Sequence, residues 1–278
     1  MIPAAFRYVR ATTIDDALTA TSRGPDAKLL AGGQSLVPQL RSRSTRADTV
    51  IDISRIPALR GIEVHRGEDK DELVIGAATT HAELSRSPVV LDRAPLLAEA
   101  AARIGDPQVR ACGTIGGSLA YGHPTADLTT ACTLYGARVD VHSFQEPVVG
   151  VLVERVPEYI DTGGLIGAVT IPCPSQRHGW SYQRFTARAE SWAIVAAAVL
   201  VDETSATVVV SGLSPTPQGW PELAAIAHAP ENEIGELVRG TFQQRETSAS
   251  EFRVAIAATM VERGLKAARE DLRRKDGR

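Results

Sequence analysis

Two stretches built around paired glycines govern what this chain can fold into: LLAGGQSLVPQL from Leu29 to Leu40, and GTIGGSLAYGHPTADL from Gly113 to Leu128. In each, an apolar or β-branched run leads into Gly-Gly and a hydroxyl residue follows within two positions. A strand that ends on glycine lets backbone N–H groups approach an anion closely, and the helix start that follows adds donors that no helical bond uses. A single such loop reads as an ordinary turn. Two with the same logic suit a ligand carrying two phosphates.

Neither stretch is a GxxxxGK phosphate loop, because no lysine follows the glycines at that spacing, and GxGxxG is absent. A dinucleotide held here is gripped in some other way. The 278 residues, 44% hydrophobic, suffice for a full core and suggest two domains. With 30 Lys and Arg against 33 Asp and Glu, the net charge of -3 gives no global field for nucleic acid or an acidic membrane. The longest apolar run, Trp192 to Val201, is half of the roughly 20 residues that span a bilayer, and no basic-then-apolar leader opens the chain. A soluble, cytoplasmic protein is expected.

Cys112, Cys132 and Cys173 form neither CxxC pairs nor a set of four, so the chain cannot ligate an iron–sulfur cluster by itself. All three read as small buried hydrophobes. The six histidines are dispersed, and no metal site is expected.

Along the chain, Phe6, Tyr8 and Arg10 alternate as a strand, and Thr13 with Asp16 forms a capping box for a helix presenting Ile14, Ala17 and Leu18. Strands are expected at Lys28–Ala31, Thr49–Ile53, Leu73–Ala77 and Arg138–His142. Helical pattern covers Thr80 to Ile104, with Pro88 and Pro95 at positions where a first turn accepts proline and Leu97, Ala100, Ala101 and Ile104 as its buried stripe. Another helix runs from Leu128 to Tyr135. Ile171 to Gly179 reads as a linker. Beyond it, WSYQRF, WAIVAAAVLV and ATVVVSGL read as strands, and Phe252, Ile256, Met260, Val261, Leu265 and Ala268 as the sheet-facing side of a last helix. The basic tail is read as solvated.

The order FRYVRATTIDDAL, AGGQSL, IDISRIPALRGI, IGAATTHAEL, PLLAEAAARIGDPQVR, ACGTIGGSLAYGHPTAD and GLSPTP, spread over nearly the whole chain, resembles the FAD-binding medium subunits of molybdenum hydroxylases, the carbon monoxide dehydrogenase, xanthine dehydrogenase and aldehyde oxidase family. The resemblance implies an α+β fold: a two-lobed FAD-binding domain of the PCMH type over residues 1–174, then a smaller antiparallel-sheet and helix domain over 175–278. It implies FAD held by Ala31, Gly32, Gly33, Gln34, Ser35 and Leu36 on one side and by Thr114, Gly116, Gly117 and Ser118 on the other. Asp127 matches an acid near the FAD hydroxyls, Leu165 and Ile166 match positions lining the flavin, and Arg184, more weakly Arg188, match cations facing the isoaloxazine.

The resemblance further implies a large partner carrying a molybdopterin cofactor, a small partner carrying two two-iron two-sulfur clusters, and a dimer of heterotrimers in which electrons pass through the clusters to FAD and on to an external acceptor. No residue of this chain is implied as a catalytic acid or base. A stand-alone flavin reductase or oxidase, and a non-redox assembly module keeping the fold, are the alternatives. Two stretches depart from the family pattern: the usual HADP is Tyr121, Gly122, His123 and Pro124 here, and Ser191 stands where an acid is usual. His123 reads as a surface hydrogen-bonding group, Tyr182 and Trp192 as core or interface residues.

Overall fold

The computed structural model describes residues 2–24, 26–67, 70–144, 146–174, 177–245 and 247–276. Three sheets organise the chain. The first is parallel and three-stranded, β1 (Arg7–Arg10), β2 (Ala27–Leu30) and β3 (Thr49–Asp52) in the order β1-β3-β2. Helices α1 (Ile14–Thr21) and α2 (Leu36–Ser42) make the crossovers. Helix α1 starts where the sequence places it: the Asp16 N–H donates to the Thr13 hydroxyl at 3.0 Å, and the Thr13 N–H donates back to the Asp16 carboxylate at 3.2 Å. Its Ala17 and Leu18 pack on Ile51 and Ile53. All four residues of β3 are buried, as the central strand of a parallel sheet must be.

The second sheet is antiparallel and five-stranded, formed by β4 (Ile62–His65), β5 (Glu72–Gly76), β6 (Arg138–His142), β7 (Val148–Leu152) and β8 (Leu165–Pro172) in the order β4-β5-β8-β6-β7. Between β5 and β6 run α3 (His81–Arg86), α4 (Pro88–Arg93), α5 (Pro95–Ala102), α6 (Pro107–Cys112), α7 (Ile115–Tyr121) and α8 (Asp127–Leu134), and α9 (Val156–Ile160) precedes β8. The helical stretch from Thr80 is thus broken at Pro88 and Pro95, each opening a new helix. Leu97, Ala100 and Ala101 are fully buried and Ile104 half-buried. The outer strands are open to solvent: β4 buries none of its four residues, and β7 buries only Val151.

The third sheet is antiparallel, β9 (Gly179–Thr186), β10 (Ala193–Val201), β11 (Ala206–Ser211) and β12 (Gln218–Gly219) in the order β12-β11-β10-β9, followed by α10 (Ile234–Gln244) and α11 (Glu251–Asp276). Met260, Val261, Leu265 and Ala268 of α11 are buried against this sheet's core. Phe252 departs from that stripe and is 59% exposed, its ring meeting Phe185 edge to face with centroids 6.2 Å apart. Two further expectations change. The linker begins later, since Ile171 and Pro172 pair as strand with Leu73 and Glu72, and Ser175 and Gln176 lie outside the described residues. Cys112 is exposed, because α6 buries none of its residues, whereas Cys132 and Cys173 are buried as expected.

Helix α8 joins the parts. It packs on α5 and also on β10 and β11, so seven of its eight residues, including Asp127, are buried. One hydrophobic cluster therefore unites Leu97, Leu128 and Val139 with Tyr182, Ala196 and Val209 of the third sheet.

Candidate functional site

The two glycine segments together line a cavity of about 990 Å³, at the upper end of the size of cofactor sites. A second cavity, about 120 Å³ beside Leu40 and Arg43, is too small for a nucleotide. Of the residues assigned to FAD from the sequence, Ala31, Gly32, Gly33, Gln34, Ser35, Leu36, Thr114, Gly116, Gly117, Ser118 and Ile166 all line the large cavity. Asp127 and Arg184 do not.

The segments meet backbone to backbone. A Cβ on Gly32 would lie 2.0 Å from the Cys112 carbonyl oxygen, so no side chain fits there. Gly33 adopts φ 71°, which turns the chain from β2 into α2. Ser35 precedes α2 without capping it by its side chain, and it lines the cavity.

The second segment is built differently from the expectation. Thr114 caps α7 by accepting from the Gly117 N–H at 3.1 Å, the Ile115 N–H donates to the Thr79 carbonyl at 3.0 Å, and the Gly116 N–H donates to the Ala77 carbonyl at 2.9 Å. The first-turn donors of α7 are thus used inside the protein, and this loop offers a ligand a smooth wall rather than a helix N-terminus. Gly116 allows that stitching, since its Cβ would lie 2.6 Å from the Ala77 Cβ. At Gly117 a Cβ would meet Thr114 Oγ1 at 2.9 Å and the Ala31 Cβ at 3.9 Å, which places the two loops in facing contact.

The sequence reading missed His81. It stands first in α3, 5% exposed, and lines the cavity with its Nδ1 unpartnered. Burial, with the Arg110 charge adding to it, lowers its pKa to about 4, so the ring is neutral at physiological pH. The available signal was a histidine inside the Thr80–Glu83 capping box that opens α3 after β5. Arg23, in the turn after α1, and Lys28 of β2 also line the cavity, as do Tyr121 and Trp192. The rings of Trp192 and His123 stack with centroids 4.1 Å apart, and Tyr121 lies 6.1 Å from each. The two stretches that depart from the family pattern are therefore in contact.

Asp127 and Arg184, expected near the FAD hydroxyls and the isoaloxazine, lie away from the cavity. The Asp127 carboxylate is 2% exposed, accepts from the Tyr182 hydroxyl at 2.5 Å and lies 3.1 Å from Arg184 Nε. Burial pushes its pKa up, opposed by the Arg184 charge and the tyrosine hydrogen bond, and burial likewise holds the Tyr182 phenol well above its usual range. Both ionic groups face a packed seam between α8 and β9 instead of the cavity. Leu165 is fully buried in the first lobe's core, and Arg188 sits on an exposed turn. Among the described residues, no group of three or more His, Cys, Asp or Glu is placed to hold a metal, and no helix is long and apolar enough to cross a membrane.

Residues 4–174 match the family described as the FAD binding domain in molybdopterin dehydrogenase. The chain belongs to this family. It is similar to the carbon monoxide dehydrogenase medium chain of Hydrogenophaga pseudoflava, 36% identical over 75% of this chain and 73% of that one. The corresponding medium chain of Afipia carboxidovorans is 31% identical over 87% of this chain and 82% of its own. Among solved structures, carbon monoxide dehydrogenase from Oligotropha carboxidovorans superposes with a TM-score of 0.85 at 28% identity, covering 98% of this chain and 100% of that one. The chain is thus an FAD-binding medium subunit of the molybdenum hydroxylase type, an oxidoreductase flavoprotein, with the α+β, PCMH-type architecture that its sequence implies.

The site fits FAD on its own geometry. The cavity has room for an extended dinucleotide, both loops present backbone where a side chain would intrude, and the donor-bearing turn lies at α2.

Proposed function

We propose that this chain holds FAD between its two glycine segments and passes electrons from carriers on partner chains to an external acceptor. The observation that carries the reading is the large cavity wall made by Ala31–Leu36 together with Thr114, Gly116, Gly117 and Ser118. When bound, FAD supplies the exchange between one-electron carriers and a two-electron acceptor.

The chain's own residues position and shield. The turn from Gly32 to Leu36, rich in backbone donors, receives the pyrophosphate. The wall at Gly116–Ser118 gives it a close second face. Ile166 supplies apolar surface, and Tyr121 and Trp192 supply aromatic surface for a planar ring. His81, held neutral, adds no cation to the cavity. Asp127 and Arg184 act from behind the wall, not on the cofactor.

The same reading extends to assembly. A large chain with a molybdopterin cofactor and a small chain with two two-iron two-sulfur clusters would complete a heterotrimer, which pairs as a dimer in the cytoplasm, and residues 1–174 and 175–278 act as its FAD-binding and C-terminal domains. The names of the similar proteins, medium chains of carbon monoxide dehydrogenase, support a place among several chains. The test is gentle purification of the untagged complex followed by reductive titration and reoxidation. Co-elution of two further chains with flavin that is reduced and reoxidised reversibly is expected. A single chain with active flavin would point to a stand-alone reductase, and a partnered chain with inert or absent flavin to an assembly module; either overturns the proposal.

A further inference from the structure

The turn of residues 187–192 between β9 and β10 carries Trp192 to the cavity, yet little within it dictates where the indole stands. Arg188, Ala189 and Glu190 are exposed, and the ladder between β9 and β10 is irregular between Ala193 and Val195, where the chain leaves the sheet. Trp192 is itself 43% exposed and rests by stacking on His123. Its placement therefore depends on how the turn's backbone is anchored.

The anchor is one buried guanidinium. Arg184 donates from Nη2 to the Ser191 carbonyl at 2.9 Å, next to Trp192, and from Nη1 to the Arg103 carbonyl at 2.7 Å, at the end of α5. Its Nε lies 3.1 Å from Asp127, which opens α8 directly after the loop bearing His123. That loop is closed on itself, with the Ala126 N–H donating to the His123 carbonyl at 2.9 Å and Thr125 reaching His123 Nδ1 at 3.2 Å. One side chain thus grips both halves of the Trp192–His123 stack. A buried ion pair is weak evidence for stability. The planar fork of arginine does fix several acceptors in one geometry, which a lysine cannot do.

We propose that Arg184 is a positioning residue that sets Trp192 against His123 and so fixes the aromatic wall on which bound FAD rests. The inference depends on the cavity being the FAD site. The test combines FAD titration with Trp192 emission, the latter taken as the difference between each protein and its Trp192→Phe counterpart without FAD. Arg184→Gln and Trp192→Ala are each expected to weaken FAD binding about 3- to 10-fold, the scale of one lost aromatic contact. The double variant is expected within about 2-fold of the weaker single one, because both act through the same ring. Arg184→Lys keeps a cation beside Asp127 and remains informative if the glutamine variant does not fold. It is expected to show the same weakening and a red-shifted Trp192 emission. Additive losses, rescue by lysine, or unchanged Trp192 emission would overturn the proposal. Failure of the wild-type protein to bind FAD would instead sink the assignment of the cavity, while the FAD-free emission would still report whether Arg184 places the indole.

Discussion

Gly32→Ala and Gly117→Ala separate the contact that builds the cavity from the surface that meets the ligand. At Gly32 the new Cβ would lie 2.0 Å from the Cys112 oxygen, 2.6 Å from its carbon and 2.8 Å from the Gly113 Cα, all backbone atoms. The loops must part by more than an ångström. Overpacking costs about 1–3 kcal/mol when neighbours can give, and here the upper end applies because backbone meets backbone. At roughly 2–4 °C per kcal/mol for a chain near this size, the FAD-free protein should melt about 6–12 °C lower.

At Gly117 the Cβ meets only the Thr114 hydroxyl closely, at 2.9 Å. Disturbing that cap costs about 1 kcal/mol, which the helix propensity of alanine over glycine offsets by a similar amount. Its melting point should stay within about 3 °C of wild type. FAD binding should nevertheless weaken about 5- to 150-fold, the equivalent of about 1–3 kcal/mol of steric conflict with the ligand. Thermal melts of the FAD-free proteins and titration by flavin fluorescence measure both. A Gly32→Ala protein as stable as wild type, or a Gly117→Ala protein with unchanged FAD affinity, would refute the reasoning. Gly33 is a poorer probe, since φ 71° strains any substituted residue whether or not a ligand is present.

His81 should make stability depend on acid. Its folded pKa of about 4 lies below the ordinary 6.5, so the unfolded chain binds the extra proton first, and stability is complete above 6.5 and falls as pH drops toward 4. The difference in unfolding free energy between wild type and His81→Leu, from urea titrations, should change by up to about 3 kcal/mol over that window, and a pH-independent difference would refute a buried neutral ring. Cys112 should be the thiol that labels in the native FAD-free protein, while burial protects Cys173 and pushes Cys132 up to about 12. Mass mapping after brief alkylation would show a second labelled cysteine if those two are accessible.

Local chemistry was legible from the sequence wherever neighbours in sequence decide it. The Thr13–Asp16 box and Pro88 and Pro95 at helix starts act over a few residues, and the structure realises each of them. What escaped is set by contacts across the chain. Nothing near Arg184 indicates that Asp127 will form an ion pair with it and that the Ser191 and Arg103 carbonyls will accept from its Nη2 and Nη1, so a cation expected toward the flavin is held in a buried tie. Likewise, the apolar cues that marked Cys112 and Phe252 for the core do not reveal that α6 buries nothing or that α11 begins beyond dense packing. The second glycine loop shows the same limit, because its use of the Ala77 and Thr79 carbonyls depends on the distant end of β5.

Hydrogen exchange with and without FAD tests the placement of the cofactor most directly. Added FAD should slow exchange across Gly32 to Leu36, where the turn into α2 has donors to give. It should change Ile115, Gly116 and Gly117 little, because their N–H groups are already bonded to Thr79, Ala77 and Thr114. Protection confined to other parts of the chain, with Gly32 to Leu36 exchanging as fast as before, would contradict an FAD site between the two glycine segments.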